Sequence, residues 1–285
     1  MIKAKGLKKG DRIAVVSLSW GGLGDEEFIH KYYIGKERLE KEFGLEVVPM
    51  PHALKGSEFV AKHPELRAKD LMDAFEDPSI SAIFCAIGGD DTIRTLPYID
   101  INVIRNNPKI FMGYSDTTIN HLMMYKAGLV SFYGPSLMCE FGEYVSMFEY
   151  TKAAVRDVFM MCIGTKIWPT LDKWEGAILF IETSEDKPSP DFVKWTFRNL
   201  AAQGILKAIE GIIVGKPQDE TYYDEYKDAM IQVVREEEGL KQLPILYNVN
   251  IGHASPIGIL PYGIKAELDC DKKTITLLEN ATKTP

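Results

Sequence analysis

Short, almost unbroken apolar runs alternate along the chain with longer stretches in which apolar residues recur every three or four positions. Asp11 to Ser19 (D-R-I-A-V-V-S-L-S), Leu45 to Pro49, Ile80 to Ile87 and Ile110 to Met112 are of the first kind and predict buried strands. Glu26 to Phe43 is of the second kind. So are a segment opening near Pro64 that carries Leu66, Leu71 and Phe75, one beginning at Thr92 to Leu96, and one carrying Ile119, Leu122 and Met123 up to Gly128. Strand and helix in alternation predict an open, mostly parallel α/β sheet. The pattern changes near Val145 to Trp168, where a helix-like stretch to Met161 runs into a turn-rich linker.

A second unit is expected from about Lys173. Strands are predicted at Ala177 to Ile181, Gly211 to Val214 and Pro244 to Val249, and amphipathic helices at Phe192 to Gly204 and Tyr222 to Glu238. Leu260 to Leu268 and Thr274 to Leu278 read as an antiparallel hairpin. The expected division is residues 1–150, a linker at 151–172, and a smaller β-rich, α+β domain at 173–285.

In open parallel sheets, ligands gather beyond the carboxyl ends of the strands. Three stretches of the first unit fall there: Ser19 to Gly24 with Trp20, the run Gly88-Gly89-Asp90-Asp91, and the turn G-Y-S-D-T-T holding Tyr114, Ser115 and Asp116. Ser115 sits between a strand and a helix, where a nucleophile's oxygen is exposed and backbone N–H groups can meet an oxyanion. The same residues also suit a plain helix cap, and the G-x-S-x-G spacing is absent. Gly88 and Gly89 let the backbone approach a ligand, or simply turn the chain. Asp90 and Asp91 are neighbours in sequence and do not by themselves converge on one ion. No G-x-G-x-x-G supports a dinucleotide site. In the second unit Glu182 follows a strand directly, and His253 lies in the loop N-I-G-H-A-S-P. His253 is a general-base candidate or a structural loop histidine, and Glu182 a candidate to orient it.

Charge and composition narrow the classes. A formal net charge of -8 without a basic run gives no electrostatic case for nucleic acid or an anionic membrane. No apolar run approaches a membrane span. The basic N-terminus leads straight into a strand and does not read as a signal peptide, so a cytoplasmic protein is expected. Cys85, Cys139, Cys162 and Cys270 show no C-x-x-C spacing, and the five histidines show no H-E-x-x-H, so neither zinc nor a disulfide framework is suggested.

Taken in order, V-V-S-L-S-W, A-I-G-G-D-D-T-I-R-T-L-P, F-M-G-Y-S-D-T-T, G-A-I-L-F-I-E-T and N-I-G-H-A-S-P followed by I-L-P-Y-G resemble the serine peptidases comprising LD-carboxypeptidases and microcin C immunity proteins. The resemblance covers nearly the whole chain. It implies a flavodoxin-like N-terminal domain, a smaller β-rich C-terminal domain, and a Ser-Glu-His triad falling on Ser115, Glu182 and His253. It further implies oxyanion amides at Asp116 and Gly89, chemistry without metal or cofactor, and a homodimer.

Two departures bear on the substrate. The cell-wall branch of the family has R-G-G-Y-G where this chain has Ile87-Gly88-Gly89-Asp90-Asp91, a pattern more like the immunity branch. The family's long loop between the helix around Val155 and the G-T-x-x-W-P segment is also missing, since Phe159-Met160-Met161-Cys162 runs directly into Ile163-Gly164-Thr165. On Ile87 and Asp90-Asp91 the expected substrate is a peptidyl or aminoacyl nucleotide amide, with a peptidoglycan-derived muropeptide as the alternative; the second departure removes a stretch that helps shape the family's substrate pocket. A small-ligand binding protein without enzymatic activity is the rival of another class. Trp20, Gly88, Asp90, Asp91 and Tyr114 are the candidate substrate contacts.

Overall fold

In the computed structural model the described residues are 1–142, 165–253 and 257–284. The helix expected over Val145 to Met161 and the junction at Phe159 to Cys162 lie outside them. The chain divides into two compact units. The first holds Met1–Cys162, Ile259–Ile264 and Asn280–Pro285, and the second Ile163–Gly258 and Lys265–Glu279.

The first unit is built on strands β1 (Arg12–Val16), β2 (Glu46–Pro49), β3 (Ile80–Cys85), β4 (Ile110–Gly113) and β5 (Ser131–Tyr133), ordered β2-β1-β3-β4-β5 and all parallel. This is the flavodoxin-like order, with its topological switch between β1 and β3. The apolar runs are continuous because both sheet faces are covered. Ile13, Val15, Ala82, Phe84, Ile110 and Met112, spaced by two, share one face with Tyr32, Leu39 and Leu137. The residues between them, Ala14, Val16, Ile83, Cys85 and Phe111, are fully buried on the other face. Helix Pro64–Glu76 packs on β1 and β3, with Leu71 and Phe75 buried.

The second unit holds β6 (Ile178–Ile181), β7 (Gly211–Gly215) and β8 (Ile245–Val249), a parallel sheet in the order β6-β7-β8. Helices Pro190–Ala202 and Tyr223–Ile231 make the crossovers. The first is capped by Ser189, whose hydroxyl accepts the Phe192 N–H. The expected single helix at Tyr222 to Glu238 is instead an α-helix to Ile231 followed by a wider π-helical turn at Gln232–Glu237.

One expectation fails at the C-terminus. Leu260–Tyr262 does not join the hairpin; it pairs antiparallel with β5 at the edge of the first sheet. Pro261 explains the placement, because a residue without an N–H is tolerated on an edge strand. The hairpin itself is shorter, Ala266–Asp269 against Thr274–Leu277.

Phe111 is fully buried in the first sheet. Phe111→Ala should therefore cost about 3–5 kcal/mol, read as a lower urea midpoint for the first unit. A loss under about 1 kcal/mol would show that the helices close over the vacated volume.

Candidate active site

In the first unit the chemistry collects at the carboxyl ends of three adjacent strands. Ser19 and Trp20 follow β1, Gly88 and Gly89 follow β3, and Ser115 and Asp116 follow β4. The Trp20 N–H donates to the Gly88 carbonyl at 3.0 Å, and the Ser19 hydroxyl donates to Asp116 Oδ2 at 2.5 Å. Arg67, almost wholly buried, sends its guanidinium to the carbonyls of Leu18 and Ser19 at 3.0 and 3.1 Å and to Asp91 at 2.6 Å. Asp91 is thus a structural anchor between two strand ends, and it also receives Arg94 at 2.8 Å.

Ser115 adopts φ 60, a left-handed conformation uncommon for a residue with a Cβ. Such strain is characteristic of serines held on a sharp strand-to-helix turn. Its N–H donates to the Tyr133 hydroxyl at 3.2 Å. The residue is 4% exposed, less open than the sequence suggested. Gly88 lies directly against it, and a Cβ there would stand 2.6 Å from Ser115 Cβ and 2.8 Å from Oγ. Gly89, at φ +146, would place a Cβ 2.2 Å from Ser19 Oγ. The two glycines therefore permit a close approach of backbone to serine that no other residue allows.

Asp116 is fully buried, and its Oδ2 also accepts the Thr92 N–H at 2.8 Å. Burial pushes its carboxyl up to about 6 against the hydrogen bonds from Ser19 and Thr92. Trp20 packs edge-on against Phe28 with centroids 5.4 Å apart; Tyr114 is buried, and Asp90 is exposed. A second serine–histidine pair lies in this unit, Ser131 Oγ 2.9 Å from His121 Nδ1. Both residues are at 0% exposure, and burial lowers the histidine to about 4. His121 Nε2–H donates to the Gly113 carbonyl at 2.9 Å, so this neutral ring ties β4 to β5 and has no route to a substrate.

In the second unit Glu182 follows β6, and His253 lies just beyond β8. Glu182 holds the histidine twice. Its Oε1 lies 2.7 Å from Nδ1, and its Oε2 accepts the His253 N–H at 3.2 Å. β7 lies between the two strands, and glycines make the reach possible. A Cβ on Gly215, at the end of β7, would sit 2.6 Å from Glu182 Cβ, and one on Gly252 would sit 2.3 Å from Glu182 Oε2. The geometry fixes Nδ1 as the protonated nitrogen facing Glu182.

Sequence reasoning missed Glu185, whose Oε2 stands 2.9 Å from His253 Nε2. Its only sequence signal is a further acid three residues after Glu182, in a loop where acids are common. Burial alone would lower the imidazole's pKa. Glu182 first, and then Glu185, outweigh it and raise the ring to about 10.

Two outcomes follow from this geometry. Gly252→Ala, at φ +85, should push the carboxylate off the ring, and His253, losing its nearest anion, should titrate at lower pH by histidine NMR. An unchanged midpoint would mean that carboxylate and loop move together. Asp116, raised from an unfolded value of roughly 3.9, binds its proton more tightly when folded. Its contribution to stability is complete below that value and is lost as pH rises through about 6. Asp116→Asn, whose Oδ1 can accept the same two hydrogen bonds, should therefore gain on the wild type in melting temperature between those limits. A constant difference across that range would contradict the assignment.

Residues 13–134 match the LD-carboxypeptidase N-terminal domain, and residues 154–268 match the LD-carboxypeptidase C-terminal domain. A crystal structure of an MccF-like protein from Streptococcus pneumoniae in complex with AMP is similar at 33% identity, covering 94% of this chain and 98% of that one, with a TM-score of 0.82. The microcin C7 self-immunity protein MccF of Escherichia coli is 25% identical over 90% of both chains. The "Probable murein peptide carboxypeptidase" of Bacillus subtilis is 28% identical over 96% of this chain and 94% of its own. The chain belongs to the LD-carboxypeptidase family, the S66 peptidases.

Proposed function

We propose that this protein is a serine amide hydrolase of the microcin-immunity type, with Ser115 as nucleophile, His253 as general base and Glu182 as the acid that orients it. The observation that carries this reading is the Glu182–His253 pair, whose carboxylate holds Nδ1 and so assigns proton transfer to Nε2. The strained turn at Ser115 supports it.

In this mechanism Ser115 Oγ attacks the amide carbonyl carbon as Nε2 of neutral His253 takes its proton. The oxyanion is met by the N–H groups of Asp116 and Gly89. The tetrahedral intermediate collapses, His253 passes the proton to the departing amine, and an acyl ester remains on Ser115. Water, deprotonated by His253, attacks the ester carbonyl; as the bond to Ser115 breaks, His253 returns the proton to Oγ and the carboxylic acid is released. No metal or cofactor takes part in these steps.

The substrate we propose is a peptidyl or aminoacyl nucleotide amide. Likeness to the Streptococcus pneumoniae protein in complex with AMP over most of both chains supports a nucleotide-bearing ligand. The replacement of the cell-wall branch's arginine by Ile87 weighs against a muropeptide. A homodimer in the cytoplasm is part of the same proposal, and sedimentation at micromolar concentration would test it.

The deciding experiment compares purified protein on an aminoacyl sulfamoyl adenylate and on an L,D-linked muropeptide, with Ser115→Ala alongside. The nucleotide conjugate should be cleaved, and Ser115→Ala should lose roughly a thousandfold or more in kcat with an unchanged far-UV spectrum. Serine-dependent release from the muropeptide alone would reverse the substrate assignment. Equal turnover by Ser115→Ala would remove the nucleophile.

A further inference from the structure

The proposed mechanism needs a neutral His253 with an open Nε2, and the structure has that nitrogen against a carboxylate. Glu185 Oε2 lies 2.9 Å from Nε2, and Glu182 Oε1 lies 2.7 Å from Nδ1. The two side chains and the ring are all at or below 10% exposure. An imidazole between two nearly buried carboxylates is held as imidazolium, and an imidazolium is not a base.

The two contacts differ in kind. Glu182 makes aligned hydrogen bonds to both the ring and the backbone N–H. Glu185 meets the ring at one point, through Oε2 at 2.9 Å from Nε2. Glu182 is therefore a fixed orienting partner. Glu185 holds the ring at one atom, whereas Glu182 holds ring and backbone together, which makes the Glu185 contact the easier one to break. Among the described residues, the acids acting on the ring are these two, both from the segment leaving β6, while Gly215 at the end of β7 and Gly252 beyond β8 lie against the Glu182 side chain.

We propose that Glu185 is a positioning residue acting through His253: in the resting enzyme its carboxylate latches Nε2–H, and turnover requires that latch to open. This inference rests on the hydrolase reading above. On opening, Glu185 leaves the ring and the Nε2 proton passes to solvent. One proton is lost, and the cluster of two carboxylates and one ring goes from a net charge of -1 to -2. The cost of that second negative charge holds the latch shut until the carboxylate has moved.

The sign of the pH effect follows. His253 works as a base above its folded pKa, so the acid limb of kcat/KM should lie well above the ordinary histidine range. Removing the Glu185 charge should move it to lower pH.

The test uses the full chain with 15N-labelled histidine. Nδ1 and Nε2 of His253, assigned by their loss in His253→Gln, are followed against pH in wild type, Glu185→Gln and Glu185→Ala, with kcat/KM profiles beside them. Both Glu185 variants should lower the His253 midpoint by about one pH unit or more, as expected for loss of an adjacent opposite charge, and shift the acid limb equally. An unmoved midpoint in both variants would overturn the latch. So would a raised KM with an unmoved midpoint, which would make Glu185 a substrate ligand. A lowered midpoint in a protein that hydrolyses nothing would uphold the resting contact and remove the proposed function instead.

Discussion

The structure depends on how closely backbone can approach functional side chains at strand ends. At Gly252 and Gly215 a Cβ would meet the Glu182 side chain at 2.3 and 2.6 Å, so the carboxylate can span from β6 past β7 to reach His253 only because those positions are bare. At Gly88 the same constraint holds for Ser115. A parallel sheet supplies the convergence, since its carboxyl ends all lie on one side, and glycine supplies the final ångström.

Burial gives these contacts their electrostatic force. The Glu182–His253 pair is nearly out of water, and removing one partner of such a pair costs about 3–5 kcal/mol because the other is left uncompensated. Burial pushes Asp116 up and His121 down, while the paired acids push His253 up. Each ring's partners set its role. His121 meets a carbonyl and a hydroxyl and is neutral structural glue; His253 meets two carboxylates, which favour its charged form.

Much of this was legible in the sequence, for physical reasons. Doubly covered parallel strands are apolar throughout, so β1, β3 and β4 announced themselves, and with them the three strand ends bearing Ser19, Gly88 and Ser115. Glu182 stood out because an acid directly after a buried strand is not on a solvated face. Other features depend on long-range pairing that periodicity does not encode. Leu260–Tyr262 reads like any short strand, and only its pairing with β5 separates it from the hairpin that follows. Arg67 lies on an ordinary helical pattern, with nothing to mark its burial beneath Ser19 and Asp91. Glu185 is one acid among several in a polar loop, and its meaning comes from a ring nitrogen that lies far away in sequence.

The central proposal is that Ser115 and His253 serve one hydrolytic reaction. A double-mutant cycle on kcat for the amide substrate tests this most directly, using Ser115→Ala, His253→Ala and the double variant. Groups that act as a unit lose their contribution once, so the double variant should fall no further than the worse single variant, to within about tenfold. Losses that multiply, each variant subtracting its full effect from the other, would mean that the serine and the histidine serve separate purposes, and would contradict the account.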